Sequence, residues 1–130
     1  MNFDWSKFGK FSEWLEKVDD SEVDEETRIR NIISRMSYHA YHCLLNWVSQ
    51  YSSYKIEQGE LTHKSLINHL YRTRKTDKAK WYKQLKEYRE QCDYDDEIIS
   101  LKDTLNKSKI LYHHIIDSLS QYSKKPEIQE

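Results

Sequence analysis

The sequence predicts an all-α fold, an up-and-down bundle of about five helices. Chain breakers are scarce, because only two glycines and one proline occur in 130 residues. An all-β protein would need many more turn residues. Apolar side chains also recur every three or four positions, as on the buried face of a helix. We expect one helical domain over residues 1–122 and a polar, frayed tail over residues 123–130.

The first two helices are predicted from an N-cap and from apolar spacing. Asp4 can cap the first helix, whose apolar positions are Trp5, Phe8, Phe11 and Leu15. The second helix is the clearest, running from about residue 25 to 52 with the acidic residues 24–26 at its start. Its apolar positions are Ile29, Ile32, Ile33, Met36, Ala40, Cys43, Leu44, Trp47, Val48 and Tyr51. Residues 52–59 then predict a connecting loop.

Three further helices follow. Thr62 is predicted to cap a short helix with apolar residues Leu66, Ile67, Leu70 and Tyr71. Residues 72–76 predict a loop, and Asp77 is predicted to cap a fourth helix with apolar positions Trp81, Leu85, Tyr88 and Cys92. The acidic residues 93–97 interrupt this pattern, and a fifth helix is predicted from Ile98 to Leu119.

The cysteine content and hydropathy indicate a cytoplasmic protein. Cys43 and Cys92 are too few for a disulfide framework. There is no signal peptide and no apolar run long enough to span a bilayer, so we expect no membrane association.

Charge is distributed unevenly along the chain. Residues 1–27 carry a net −6, residues 28–91 a net +8 and residues 92–130 a net −3, which add to the total of −1. Most of the central excess comes from Arg72, Arg74, Lys75, Lys78, Lys80, Lys83, Lys86 and Arg89. Such a stretch can attract phosphates, or it can solvate a loop and a helix face.

The sequence gives little support for a metal or cofactor site. His39 and His42 are three residues apart, and His113 and His114 are adjacent. They lack the HExxH form and a second ligand pair, so we interpret them as polar side chains on helix faces. No glycine-rich phosphate loop occurs. We expect no cofactor.

The segment around Arg89 has two interpretations. Acidic residues crowd the predicted end of the fourth helix, where the helix dipole disfavours them. Arg89 can anchor Asp93 or Asp95, with the Tyr94 ring packed into the bundle. Alternatively, its planar guanidinium faces a phosphate.

Four ordered blocks resemble the HEPN family of small helical proteins. They are Asp4–Phe8, Ile33–His42, Thr62–Ile67 and Tyr88–Asp96, and together the resemblance covers roughly residues 3–120. It implies a bundle of four to five helices that commonly forms a homodimer. Many members are metal-independent endoribonucleases, often in toxin–antitoxin or antiphage defence systems, where a partner protein of the same operon is expected.

The family's catalytic motif is an arginine followed by a histidine after four to six residues. In this chain no histidine follows Arg89 in that window, and Asp93 and Tyr94 stand there instead. The resemblance therefore assigns Arg89, Asp93 and Tyr94 as catalytic candidates. An imidazole would move the 2′-hydroxyl proton and an arginine would stabilise the phosphorane charge.

Further residues are assigned supporting roles. RNA or phosphate contacts are expected from Arg72, Arg74, Lys75, Lys78 and His63, and structural contacts from Arg35, Tyr38 and His42. Arg35 and Tyr38 are predicted to contact the segment 93–96. We expect a HEPN-like protein that acts on RNA, or alternatively a non-catalytic module that binds RNA, a nucleotide or a partner protein. A third alternative is a helical adaptor without a nucleic-acid role.

Overall fold

The structure, a computed structural model, describes residues 3–19, 23–51 and 61–128, without the side chains of residues 51, 61, 62 and 121–128. Its helices are α1 (Ser6–Lys17), α2 (Glu25–Tyr51), α3 (Leu61–Arg72), α4 (Thr76–Tyr94) and α5 (Leu101–Ile128). No strand occurs in these ranges, so the predicted all-α helical bundle is confirmed. The predicted loop 52–59 lies outside the described residues.

Helix α2 is the centre of the bundle and packs against α1, α4 and α5. Its predicted apolar positions from Ile29 to Val48 are buried, except that Cys43 is half-buried, and the side chain of Tyr51 lies outside the described residues. Asp24 caps the helix, because its Oδ2 accepts a hydrogen bond from the Thr27 amide at 3.0 Å. The long apolar stripe of α2 therefore organises the main core, with α3 added through its contact with α4.

A smaller apolar cluster lies at the other end of the bundle. Ile29 and Ile33 of α2 pack with Cys92 near the end of α4, and Leu101 and Leu105 of α5 cover them. This cluster fixes the end of α4 against the start of α2.

Helix α1 buries a different face from the predicted one. Asp4 does cap it, since its Oδ1 accepts a hydrogen bond from the Ser6 amide at 3.0 Å. However, Gly9, Ser12 and Leu15 are its buried residues, and Phe11 is 44% exposed. The prediction of Phe11 as a core residue is wrong because small side chains let α1 approach α2 closely on the neighbouring face.

Gly9→Ala is expected to lower the free energy of unfolding by about 1–3 kcal/mol, as overpacking of a tight contact does. A Cβ at Gly9 would lie 2.5 Å from Nδ1 of His39 and 2.9 Å from the Tyr112 hydroxyl oxygen. These two atoms form a hydrogen bond of 2.6 Å with each other, so neither can move freely. The same exchange in an open helix interior would instead stabilise by about 1 kcal/mol.

Urea unfolding followed by circular dichroism measures the effect, with Lys10→Ala as the control on the exposed side of α1. A gain in stability for Gly9→Ala would contradict the predicted close contact.

The turn between α3 and α4 is a Schellman ending. The Lys75 amide donates to the Leu70 carbonyl at 2.7 Å, and the Arg74 amide donates to the Tyr71 carbonyl at 3.1 Å. Arg74 occupies the left-handed position, with φ of 63°. This geometry presents consecutive basic residues at a tight corner of the bundle.

Helix α4 begins at Thr76 directly after this turn, and no side-chain hydrogen bond caps it. The prediction that Asp77 caps α4 is therefore wrong, and Asp77 lies in its first turn. The buried residues are Ala79, Tyr82, Leu85, Arg89 and Cys92. Trp81 and Tyr88, predicted as core, are half-buried.

Helix α5 starts three residues later than predicted and ends later as well. Ser100, in the left-handed region with φ of 58°, precedes it, so Ile98 lies outside the helix. The backbone then stays helical to Ile128, past residue 123 where the frayed tail was predicted to begin. The residues at 123–125 (Ser, Lys, Lys) do not break helices.

None of the helices in the described ranges combines the length and the apolar character that crossing a bilayer requires.

Candidate functional site

Arg89 lies on the buried face of α4 and is only 6% exposed. Its Nη1 donates hydrogen bonds to Oδ2 of Asp93 at 3.2 Å and to the Tyr38 hydroxyl at 3.3 Å. The guanidinium carbon also lies 4.9 Å from the Tyr38 ring centroid, a cation–π distance. The predicted anchoring of Asp93 by Arg89 is therefore confirmed.

The Nε of Arg89 is buried and has no hydrogen-bond partner in the part of the chain that the structure describes. A buried donor without a partner is costly. The guanidinium thus keeps its Nε donor unused while Nη1 is committed to Asp93 and Tyr38.

Tyr94 does not join Arg89. It is the last residue of α4 and is 75% exposed. The alternative in which its ring packs into the bundle is wrong, because Tyr94 follows the buried Cys92 by two residues and so lies on the opposite face of α4. Of the three catalytic candidates, the structure brings together Arg89 and Asp93.

Arg35 contacts aromatic side chains instead of the segment 93–96. Its guanidinium carbon lies 4.7 Å from the Phe8 ring centroid and 5.5 Å from the Tyr38 centroid. The Tyr38 hydroxyl accepts a hydrogen bond from Arg89, and among the described contacts neither Arg35 nor Tyr38 touches residues 93–96, so the predicted contact is wrong.

Arg30, which the sequence analysis did not single out, holds that segment. Its Nη1 donates to the carbonyls of Cys92 at 3.0 Å and Asp95 at 2.6 Å, and its Nη2 donates to the Asp96 carbonyl at 3.2 Å. Arg30 thereby satisfies carbonyls that the end of α4 leaves open.

His63 lies within the bundle next to this network. Its Nδ1 is hydrogen-bonded to the hydroxyl of Tyr82, and its ring centroid lies 4.0 Å from that of Tyr41 and 6.4 Å from that of Tyr38. His63 and Arg89 therefore flank the same tyrosine, although 26 positions separate them in the sequence. Burial, and then the charge of Arg89, lower the pKa of His63 to about 4.

His42 forms a parallel stack with Trp5, with centroids 3.6 Å apart and planes 7° from parallel. Burial, and then His39, lower the pKa of His42 to about 4. The stack fastens the N-terminal segment to α2, which agrees with the structural role predicted for His42.

Stability is expected to fall as the pH drops from about 6.5 towards 5. The folded pKa values of His42 and His63 lie near 4, below the ordinary value of 6.5. Between these values the unfolded chain binds more protons than the folded chain, so acidification favours unfolding. Above pH 6.5 His42 and His63 are neutral in both the folded and the unfolded chain, so their contribution to stability is fully present.

Urea midpoints at pH 7.5, 6.5, 5.5 and 5.0 measure this dependence. His63→Gln is expected to flatten it, whereas His113→Gln, at an exposed position of α5, should leave it unchanged. Equal slopes for the wild type and His63→Gln would contradict the assignment.

Basic side chains of α3, of the α3–α4 turn and of the first half of α4 lie apart from the buried Arg89. We call Lys64, Arg72, Arg74, Lys75, Lys80 and Lys83 the basic surface. Lys75 is half-buried and the others are exposed. Among the described residues, no carboxylate forms an ion pair with any of them. Lys64 lies near α4 because α3 packs against that helix, which its position in the sequence does not predict.

Two predicted phosphate contacts lie elsewhere. Lys78 is half-buried, with Nζ 5.1 Å from the Trp47 ring centroid, and burial lowers its pKa. His63 lies in the aromatic network described above. Thus Arg72, Arg74 and Lys75 are the predicted phosphate contacts that belong to the basic surface.

A groove of about 300 Å³, the α3–α4 groove, runs beside the basic surface. Lys64, Asn68 and Tyr71 line it from α3, and Lys83 and Glu87 from α4, among other residues. Tyr71 was predicted as a core residue, but it is 39% exposed.

Neither cysteine thiol is activated as a nucleophile. Cys43 and Cys92 are free, and burial raises their pKa values to about 11 and about 12. Both are protonated at neutral pH, and the thiolate is the reactive form. Within the described ranges, no three His, Cys, Asp or Glu side chains converge as metal ligands would.

Comparison with known proteins gave no match among protein-family models, curated proteins or solved structures.

Proposed function

We propose that this chain is a HEPN-like protein that binds RNA through the basic surface. The observation that supports the proposal is the basic surface around the α3–α4 turn, whose cations are exposed except for the half-buried Lys75 and form no ion pair with a carboxylate among the described residues. Phosphate neutralisation by such cations supplies most of the affinity in sequence-independent RNA binding. The resemblance to HEPN proteins adds the setting, a toxin–antitoxin or antiphage defence system, and a homodimer as the working form.

The state of Arg89 favours binding over catalysis. A phosphate-binding arginine must offer its guanidinium to the ligand, whereas Arg89 is 6% exposed and paired with Asp93. The exposed arginines of the basic surface meet no such competition.

Fluorescence anisotropy with a labelled single-stranded RNA tests the proposal. We expect binding at low salt that weakens as salt is added, and the double variant Arg74→Gln/Lys75→Gln should bind more weakly. Its log–log salt slope should be shallower by about 0.7 for each lost phosphate contact. Lys7→Gln/Lys10→Gln on α1 removes the same charge at exposed positions and serves as the control.

If the wild-type protein does not bind RNA at low salt, the proposal is rejected. Equal losses for the turn variant and the α1 control would also reject it, because the effect would then follow net charge alone.

A metal-independent endoribonuclease is the second candidate, and the position of His63 favours it. In this candidate His63 would take the role of the histidine that does not follow Arg89 in sequence, since its ring centroid lies 6.4 Å from that of Tyr38, whose hydroxyl accepts a hydrogen bond from Arg89. A neutral imidazole can accept a proton. Cleavage of labelled RNA without divalent metal, lost in both Arg89→Lys and His63→Gln, would support this candidate, and intact RNA with the wild type would reject it.

A further inference from the structure

We propose that the α3–α4 groove is a subsite for one unpaired base of single-stranded RNA, with the Tyr71 ring as the stacking surface. This inference rests on the proposed RNA binding and specifies its substrate class. Single-strand binders combine a positively charged path for the backbone with aromatic rings on which bases stack.

The size and lining of the groove fit one base. Its volume of about 300 Å³ is at the lower limit for small-ligand sites, about 300–1,000 Å³. Tyr71 is 39% exposed, so a face or edge of the ring is open to a ligand. Ile67 adds an apolar wall, and the Asn68 amide offers both a donor and an acceptor to a base edge.

The charged side chains of the α3–α4 groove indicate where a base and where phosphates would bind. Lys86 is already paired with Glu90 at 2.9 Å, and Glu87 places a further carboxylate in the groove. A carboxylate repels a phosphate, so the groove interior suits a neutral base. Lys64 and Lys83 are exposed and line the groove from opposite helices. They suit the phosphates on either side of that base.

The arrangement discriminates against duplex RNA. A base that stacks on Tyr71 must leave its own stack and pairing partner, which a paired strand resists. The basic turn at Arg74 makes no such demand, because phosphates are available on single and double strands alike. The groove should therefore control strand preference, and the turn should control overall affinity.

Anisotropy with single-stranded oligoadenylate and with an RNA hairpin duplex of equal length tests this inference. We expect Tyr71→Ala to weaken single-strand binding roughly 5- to 100-fold, the effect of removing one aromatic stacking surface. The duplex affinity and the salt slope should not change, since no charge is lost. Tyr71→Phe should bind the single strand like the wild type. Phe11→Ala removes an aromatic ring of similar exposure from α1 and should have no effect.

Each negative binding result has a different meaning. Single-strand binding by Tyr71→Ala equal to that of Phe11→Ala would overturn the subsite and leave the proposed function intact. No binding of either RNA by the wild type would reject the proposed function.

The subsite is then tested by NMR with adenosine monophosphate as the probe. The readout is a direct titration of the wild-type protein with this ligand. Shifts of the Tyr71 ring protons in the wild type uphold a nucleobase site, and unchanged resonances at millimolar ligand overturn it.

Discussion

Tyr82→Ala is expected to lower the free energy of unfolding by about 3–5 kcal/mol, the usual cost of truncating a buried aromatic residue. Tyr82 is fully buried on α4. Its ring lies 5.9 Å from that of Tyr41 on α2, and its hydroxyl is bonded to His63 on α3. The substitution therefore leaves a cavity where three helices meet and removes the partner of a half-buried imidazole.

Urea denaturation followed by circular dichroism gives the free energy. Tyr82→Phe keeps the ring and should cost only about 1 kcal/mol, the contribution of one hydrogen bond. Tyr94→Ala removes a tyrosine from the exposed end of the same helix and should change stability by less than about 0.5 kcal/mol. A loss for Tyr82→Ala no larger than that of Tyr94→Ala would show that Tyr82 is not a core residue.

Arg89→Ala is expected to lower the free energy of unfolding by about 2–3 kcal/mol. Removing one partner of a buried ion pair costs about 3–5 kcal/mol. The side chain of Asp93 is 26% exposed, so water compensates part of this loss. The substitution also removes the guanidinium that packs on the Tyr38 ring.

A double-mutant cycle with Asp93→Asn isolates the pair. The coupling free energy between the two positions should be at least about 0.5 kcal/mol, as for residues in one network. Arg72→Ala on the exposed end of α3 is the matched control and should stay within about 0.5 kcal/mol of the wild type. Additive effects of the two substitutions at 89 and 93 would refute the pairing.

The buried face of a helix could be predicted where apolar residues repeat over a long stretch. It could be predicted only in part where the buried stripe mixes apolar and polar residues. Helix α2 repeats apolar residues from Ile29 to Tyr51, about six turns, so its buried face follows from spacing alone. Helix α4 carries a tryptophan and a tyrosine in adjacent positions, Trp81 and Tyr82. Apolar spacing predicted the stripe through Trp81, but packing buries the stripe through Tyr82, which includes the polar residue Arg89 and is therefore less apparent in the sequence.

The site was less predictable, because its contacts join residues distant in sequence. Arg89 and Asp93 are four residues apart, and their pairing follows from helical geometry. The approach of His63 to Tyr82 depends on how α3 packs against α4, which no local pattern encodes. That Arg30 and not Arg35 binds the segment 92–96 likewise depends on how the helices pack. Five residues separate them on α2, so they point in different directions around the helix.

The contacts of Arg30 bear on which substitutions the chain can accumulate. Arg30 recognises the carbonyl groups of residues 92, 95 and 96, and every amino acid supplies a carbonyl. The side chains of Asp95 and Asp96 can therefore diverge between descendants of this chain while the junction of α2 and α4 persists. Arg30 has no such freedom, since no other side chain offers a fork of donors that is always charged. We therefore expect Arg30 to be retained in related sequences while Asp95 and Asp96 are replaced.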